Sequence, residues 1–167
     1  MESLKAAGID VVSLSNNHSL DYGVGAMLEM LGVLKKNEIL YIGAGRNFSE
    51  ASKAAVISKE NKKIAFIVIS DNEPAWEATL KKPGIFYIPI DMENQKAKKL
   101  FEIIQETKKK TDLLVISCHW GPNWGYWPQS HHIPFGHALI EAGADIVFGH
   151  SCHVFQGIEF YKGKPIL

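Results

Sequence analysis

The sequence predicts an α/β domain. Short β-branched runs alternate with longer stretches whose apolar residues recur at helical spacing. Gly-, Asn- and Pro-containing turns punctuate them, and no repeat, low-complexity stretch or interdomain linker interrupts the series. Residues 1–167 therefore read as one domain.

The elements follow in order. Ile9 to Leu14 is bounded by Gly8 and the polar Ser15-Asn16-Asn17, and reads as a buried strand. Val24, Met27, Leu28 and Leu31 then mark one face of a helix, with Asp21 where an N-cap belongs. Gly43 and Gly45 break the chain. Ala54 to Ser58 and Ile64 to Ile69 flank a polar turn and predict a hairpin or adjacent strands. Residues 71 to 92, with Pro74, Pro83 and Pro89, predict irregular structure. Ala97, Leu100, Phe101 and Ile104 form a second helical stripe, and Lys108 to Lys110 read as its solvated end. Leu113 to Ser117 is a strand, His132 to Ala142 a helix with Pro134 in its first turn, and Asp145 to Phe148 and Ile158 to Tyr161 are strands.

Composition narrows the function. The formal net charge is zero and 46% of residues are hydrophobic, which argues against a nucleic-acid binder and against disorder. No apolar run approaches the roughly 20 residues of a membrane-spanning helix, and the first residues lack the pattern of a signal peptide. Cys118 and Cys152 form no C-x-x-C pair and predict no disulfide framework. Cys118 reads as a small buried residue.

Three histidine-bearing loops share one design. Ser15-Asn16-Asn17-His18, Cys118-His119-Trp120-Gly121 and Gly149-His150-Ser151-Cys152-His153 each follow a strand. Ligands of α/β sheets bind outside the carboxyl ends of strands, and imidazole suits zinc, iron and manganese. Asn17, His119, His150 and His153 are the candidate metal ligands. Asp21 either caps the helix or orients His18 as an outer partner. Trp120, Trp124, Tyr126 and Trp127 form either an aromatic wall for substrate or the packing of a long loop. His131 and His132 read as a helix-start polar pair or as substrate contacts. His137 faces core or solvent.

Taken together, AGIDVVSLSNNHSLDYG (7 to 23), IGAGRN (42 to 47), HWGPNW (119 to 124) and AGADIVFGHSCHVFQGIEFYKGKPIL (142 to 167) resemble the CapA family. These are bacterial capsule and poly-γ-glutamate biosynthesis proteins related to calcineurin-like metallophosphoesterases. The resemblance implies a four-layer αββα metallophosphoesterase-like fold and a metal-dependent hydrolase site acting on a phosphoester or amide-type bond. It implies divalent metal, Mn, Fe or Zn, with two ions in a complete family member. His18 would stabilise or protonate the reacting group with Asp21 behind it, and Asn17, His119, His150 and His153 would bind metal. Trp120, Asn123 and Trp124 would line the substrate side, Asn123 standing where the family often has Glu. The implied partners are an anionic polymer or a small substrate, and capsule-synthesis proteins. Family members are often membrane-associated or extracytoplasmic. The alternative is a non-catalytic accessory or binding module of polymer assembly. The resemblance also places a Gly-Asp strand and an Asn-x-Glu segment ahead of Met1, and a further strand beyond Leu167. On that expectation the chain is the middle and late part of a domain, incomplete at both ends.

Overall fold

The computed structural model describes residues 1–167. The elements run α1 (Glu2–Ala6), β1 (Val11–Ser13), α2 (Gly23–Lys36), β2 (Leu40–Ile42), β3 (Ala44–Gly45), α3 (Phe48–Ala51), β4 (Ala55–Lys59), β5 (Lys62–Ser70) and β6 (Gly84–Ile85). They continue with α4 (Gln95–Lys108), β7 (Leu113–His119), α5 (His132–Ala142), β8 (Ile146–His150), β9 (Glu159–Tyr161) and β10 (Lys164–Ile166). One short 3₁₀ turn, Pro74–Trp76, interrupts the irregular segment after β5. No helix is long and apolar enough to cross a membrane.

Six strands form the main sheet in the order β4-β5-β7-β8-β10-β9. The neighbours from β5 to β10 are parallel, and the edge strands β4 and β9 are antiparallel to theirs. The layers are α4 and α5, the six-stranded sheet, the parallel β1–β2 pair, and α2. This is the expected αββα order.

Period-two side-chain alternation explains the layering. On β5, Ala65, Ile67 and Ile69 face the α4/α5 side, where they join Leu100, Ile104, Leu114, Ile116, Phe135 and Leu139 in the largest core. Phe66 and Val68 face the other way, against Ile42 and Val11 of the small sheet. A third cluster, with Met27, Leu31, Leu34, Leu14 and Leu20, seats α2 on the small sheet.

Several expectations are corrected in detail. The first strand covers only Val11–Ser13. Asp21 does not cap α2: Tyr22 occupies the N-cap without a side-chain bond. Lys108 is not merely solvated. Its Nζ donates to Asp145 Oδ2 at 2.7 Å, tying the end of α4 to the start of β8. Asp145 also accepts from the Leu114 amide at 2.8 Å and pairs with Lys164 at 3.1 Å. Strands β2 and β10 were not anticipated, and β7 and β8 each run on to include their histidine.

Candidate metal and catalytic site

Register brings the site together. Across β5, β7 and β8, Ser70 lies opposite His119, and His119 opposite His150. The two histidines thus end adjacent parallel strands on the same face. Their rings meet edge-on, with Nδ1 to Nδ1 at 3.2 Å. Ser117, two residues before His119 and so on the same face, places Oγ 2.8 Å from His150 Nε2.

These contacts limit the tautomers. When His119 Nδ1–H donates to His150 Nδ1, His150 Nε2–H donates to Ser117 Oγ. The remaining nitrogen, His119 Nε2, is buried and has no hydrogen-bond partner. It then offers a bare lone pair inside the protein, a costly arrangement unless something accepts it. Burial disfavours the charged rings. It holds His119 below its ordinary value, opposed by Asp71 and assisted by the nearby charges of His18 and His153. It pushes His150 down to about 4, with the His119 charge adding to the effect. Both rings are therefore neutral at pH 7, the form that binds metal.

The loop after β1 is set by short-range bonds. Asn16 Oδ1 accepts from the His18 amide at 2.9 Å and from Ser19 Oγ at 3.1 Å, while Ser19 Oγ also donates to the Leu14 carbonyl. Ser15 Oγ donates to the Phe86 carbonyl and anchors the loop from below. Asn17 is half-buried and His18 exposed. Asp21 Oδ2 lies 2.9 Å from His18 Nδ1. Of the two readings of Asp21, the geometry has the carboxylate orient His18, leaving Nε2 outward to give or take a proton.

The other two loops are joined to each other. The His153 amide donates to the Asn123 carbonyl at 2.7 Å, and Gln156 Nε2 to the Gly125 carbonyl at 2.8 Å. His153 is exposed and packs its ring on Trp124 at 5.3 Å. Ser151, just past β8, has the left-handed φ of 113°, a strained choice for a non-glycine residue.

The candidate substrate residues divide. Trp120 turns inward, packs on the main core and lies 4.9 Å from the His132 ring. Its indole passes so close to Gly149 that a Cβ there would lie 2.6 Å from Nε1. Trp120 thus packs inward, on the face that β-strand alternation gives it past His119. Asn123 contributes its backbone carbonyl. Trp124, Tyr126 and Trp127 are exposed. His132 is buried at the start of α5, and His137 pairs with Glu159 and stacks on Tyr161. Cys118 is fully buried, which pushes its thiol well above the ordinary value, with Asp71 adding to the effect.

One further residue, outside the candidates named from the sequence, stands at the site. Asp71 directly follows β5, beside His119 in the register, and both carboxylate oxygens accept from the Gly121 amide at 3.1 Å. The signal available in the sequence was its position, an acid immediately after a buried strand.

No group of three or more His, Cys, Asp or Glu side chains is gathered closely enough to cage an ion. The neutral His119–His150 pair, with its buried unpartnered Nε2, fits the imidazole part of a metal centre.

The family described as "Bacterial capsule synthesis protein PGA_cap" matches residues 1–167. The chain is 34% identical to the "PGA biosynthesis protein CapA" of Bacillus subtilis, over 98% of its own length and 42% of that protein. It is 33% identical to a "Probable polyglutamine synthesis accessory protein" of Mycobacterium tuberculosis, over 99% of its length and 45% of that protein. The chain thus spans less than half the length of these relatives. Among solved structures it resembles a "Putative 5'-Nucleotidase" from Staphylococcus aureus, with TM-score 0.61 and 16% identity over 99% of this chain and 34% of that one. That likeness is one of fold, and the α/β architecture is metallophosphoesterase-like. By sequence, over its whole length, the chain belongs to the bacterial capsule synthesis protein family PGA_cap.

Proposed function

We infer that residues 1–167 carry the histidine half of a metal-dependent, phosphoesterase-like hydrolase site of a capsule or poly-γ-glutamate biosynthesis protein. The observation that carries this reading is the His119–His150 pair with its buried, unpartnered His119 Nε2. His119 would hold a divalent ion, Mn, Fe or Zn, through Nε2, with His150 joining once the ion replaces its contact with His119 Nδ1, and with Asn17 and His153 approaching from their loops. An ion bound there supplies Lewis-acid polarisation of a phosphoryl or carbonyl oxygen. His18, oriented by Asp21, gives a proton to the leaving group at Nε2. Exposed Trp124, packed on His153, would offer flat apolar surface for the organic part of a substrate.

Two adjacent divalent ions need carboxylate charge to offset their repulsion, and the ligands named here are neutral. The chain should therefore hold at most one ion tightly, and elemental analysis finding two would overturn this. The function is tested by turnover of a model phosphodiester and of a γ-glutamyl amide with added Mn²⁺ or Zn²⁺. Metal-stimulated hydrolysis should disappear in His119→Ala and in His150→Ala. Retained activity in either variant would overturn the assignment.

A second reading is favoured by the word "accessory" in the name of the mycobacterial relative. On it, the chain binds an anionic polymer such as polyglutamate without turning it over. Polymer retention that is indifferent to chelator, with no hydrolysis, would select this reading.

A further inference from the structure

Asp71 is the one carboxylate placed at the strand end beside the histidine pair, and its surroundings are unusual. It is only 17% exposed, yet the sole ionisable group within ion-pair reach of it is His132. Both of its oxygens share a single donor, the Gly121 amide, at 3.1 Å each. Asn72 Nδ2 donates to Oδ1 at 3.0 Å and reaches toward the His119 carbonyl at 3.4 Å. The Asp71 amide donates to that same carbonyl at 3.2 Å. Asp71 and Asn72 therefore grip the backbone on both sides of the His119–Gly121 turn.

Behind the carboxylate stands His132, first residue of α5 and 4% exposed. Its Nε2 is 3.7 Å from Asp71 Oδ2, beyond hydrogen-bond length, and has no other partner. Gly121 has a φ of +76°, and a Cβ there would come within 2.8 Å of His132 Cε1. The turn, the carboxylate and the imidazole are thus packed in contact with no slack for a side chain at 121. A half-buried carboxylate without a cationic neighbour is costly, and positive charge placed at the adjacent imidazoles would offset that cost.

We propose that Asp71, held by the Gly121 amide and backed by His132, is a positioning residue for His119 that also supplies fixed negative charge to the metal site. This rests on the reading of His119 and His150 as metal-binding. A small closure of His132 onto Oδ2 satisfies its orphan Nε2–H and clamps Asp71 against the turn that aims the His119 ring. Outer partners of this kind commonly change metal affinity 10- to 100-fold.

The test is Co²⁺ titration of the full chain, followed by calorimetry and by the visible absorption of the bound ion. Asp71→Asn keeps the shape and an acceptor for the Gly121 amide but removes the charge. It should bind Co²⁺ about 10-fold more weakly with its thermal midpoint little changed. His132→Phe should weaken binding similarly, and His132→Gln, which keeps an N–H donor, should restore it. His119→Ala is the control for the underlying reading. Weakening in His119→Ala with wild-type affinity in Asp71→Asn would overturn the proposal and leave the metal site standing. No effect in His119→Ala would overturn both. Should Asp71→Asn fail to fold, equal affinities in His132→Phe and His132→Gln overturn the proposal by themselves.

Discussion

His119 and His150 end adjacent parallel strands, whereas His18 and His153 ride on loops. The first pair is fixed by the sheet ladder, by the Nδ1–Nδ1 contact and by Ser117. The strands that carry these rings bury their opposite face, with Leu114, Ile116, Cys118 and Val147, in the main core. The second pair is exposed and held locally, His18 by Asp21 and His153 by Trp124 and the Asn123 carbonyl. On the proposed reading the division suits two duties: the strand pair, as ligands, gains from a position set by packing, while His18, as proton donor, gains from solvent and a little freedom.

That contrast can be broken from below. Ile116→Ala removes a fully buried side chain from β7, three residues before His119. It should cost about 3 kcal/mol in chemical denaturation and blur the metal site with it. A loss under about 1 kcal/mol would show that the strand pair is not the rigid half. Next in size is the contrast between single histidines. Zn²⁺ affinity measured by calorimetry should fall about 100-fold, or some 2.7 kcal/mol, in His119→Ala. In His153→Ala the drop should stay under about tenfold, and equal losses would erase the distinction.

A smaller effect is expected at the opposite end of the same strands. Asp145 joins Lys108, Lys164 and the Leu114 amide. Burial raises its affinity for a proton, but the bonds from Lys108, Leu114 and Lys164 outweigh it and hold the carboxyl below its ordinary value. With the folded value below the unfolded one of about 3.9, the stabilisation is complete above that pH. It disappears as pH falls through the lower, folded value. Asp145→Asn should cost about 1–2 kcal/mol at pH 7 and flatten the loss of stability below about pH 4. An unchanged acid limb would place the acid sensitivity elsewhere. The least effect on stability, within about 0.5 kcal/mol, is expected for Asp21→Asn. Turnover should nevertheless fall, because His18 loses its orienting charge; unchanged turnover would remove Asp21 from the site.

Much of this was legible locally. The turn Lys59 to Lys63 between β-branched runs announces the β4–β5 hairpin, and helix α5 has its expected bounds because Gly143 ends it. The histidine segments were legible as lying at strand ends, although His119 and His150 close their strands rather than follow them. β10 was hidden because Pro165 argues against a strand; β8 pairs with β10 only at Ile166, past the proline. Asp71 was not legible as a site residue because nothing nearby in sequence reveals that the amide of Gly121, 50 residues on, donates to its carboxylate.

The sequence by itself determined which chemistry-bearing residues follow strands, since apolar periodicity and turn residues act over a few neighbours. It also carried the motifs by which the family is known. Only the tertiary structure decided that His119 and His150 touch, that Trp120 turns inward, that Asp21 serves His18 rather than the helix, and that Asp71 meets Gly121 and His132. Apart from the Asp21–His18 contact, whose partners are three residues apart, those outcomes depend on strand register and on partners far apart in the chain, and chiefly on which contact buries the most surface with the fewest unpaired polar atoms.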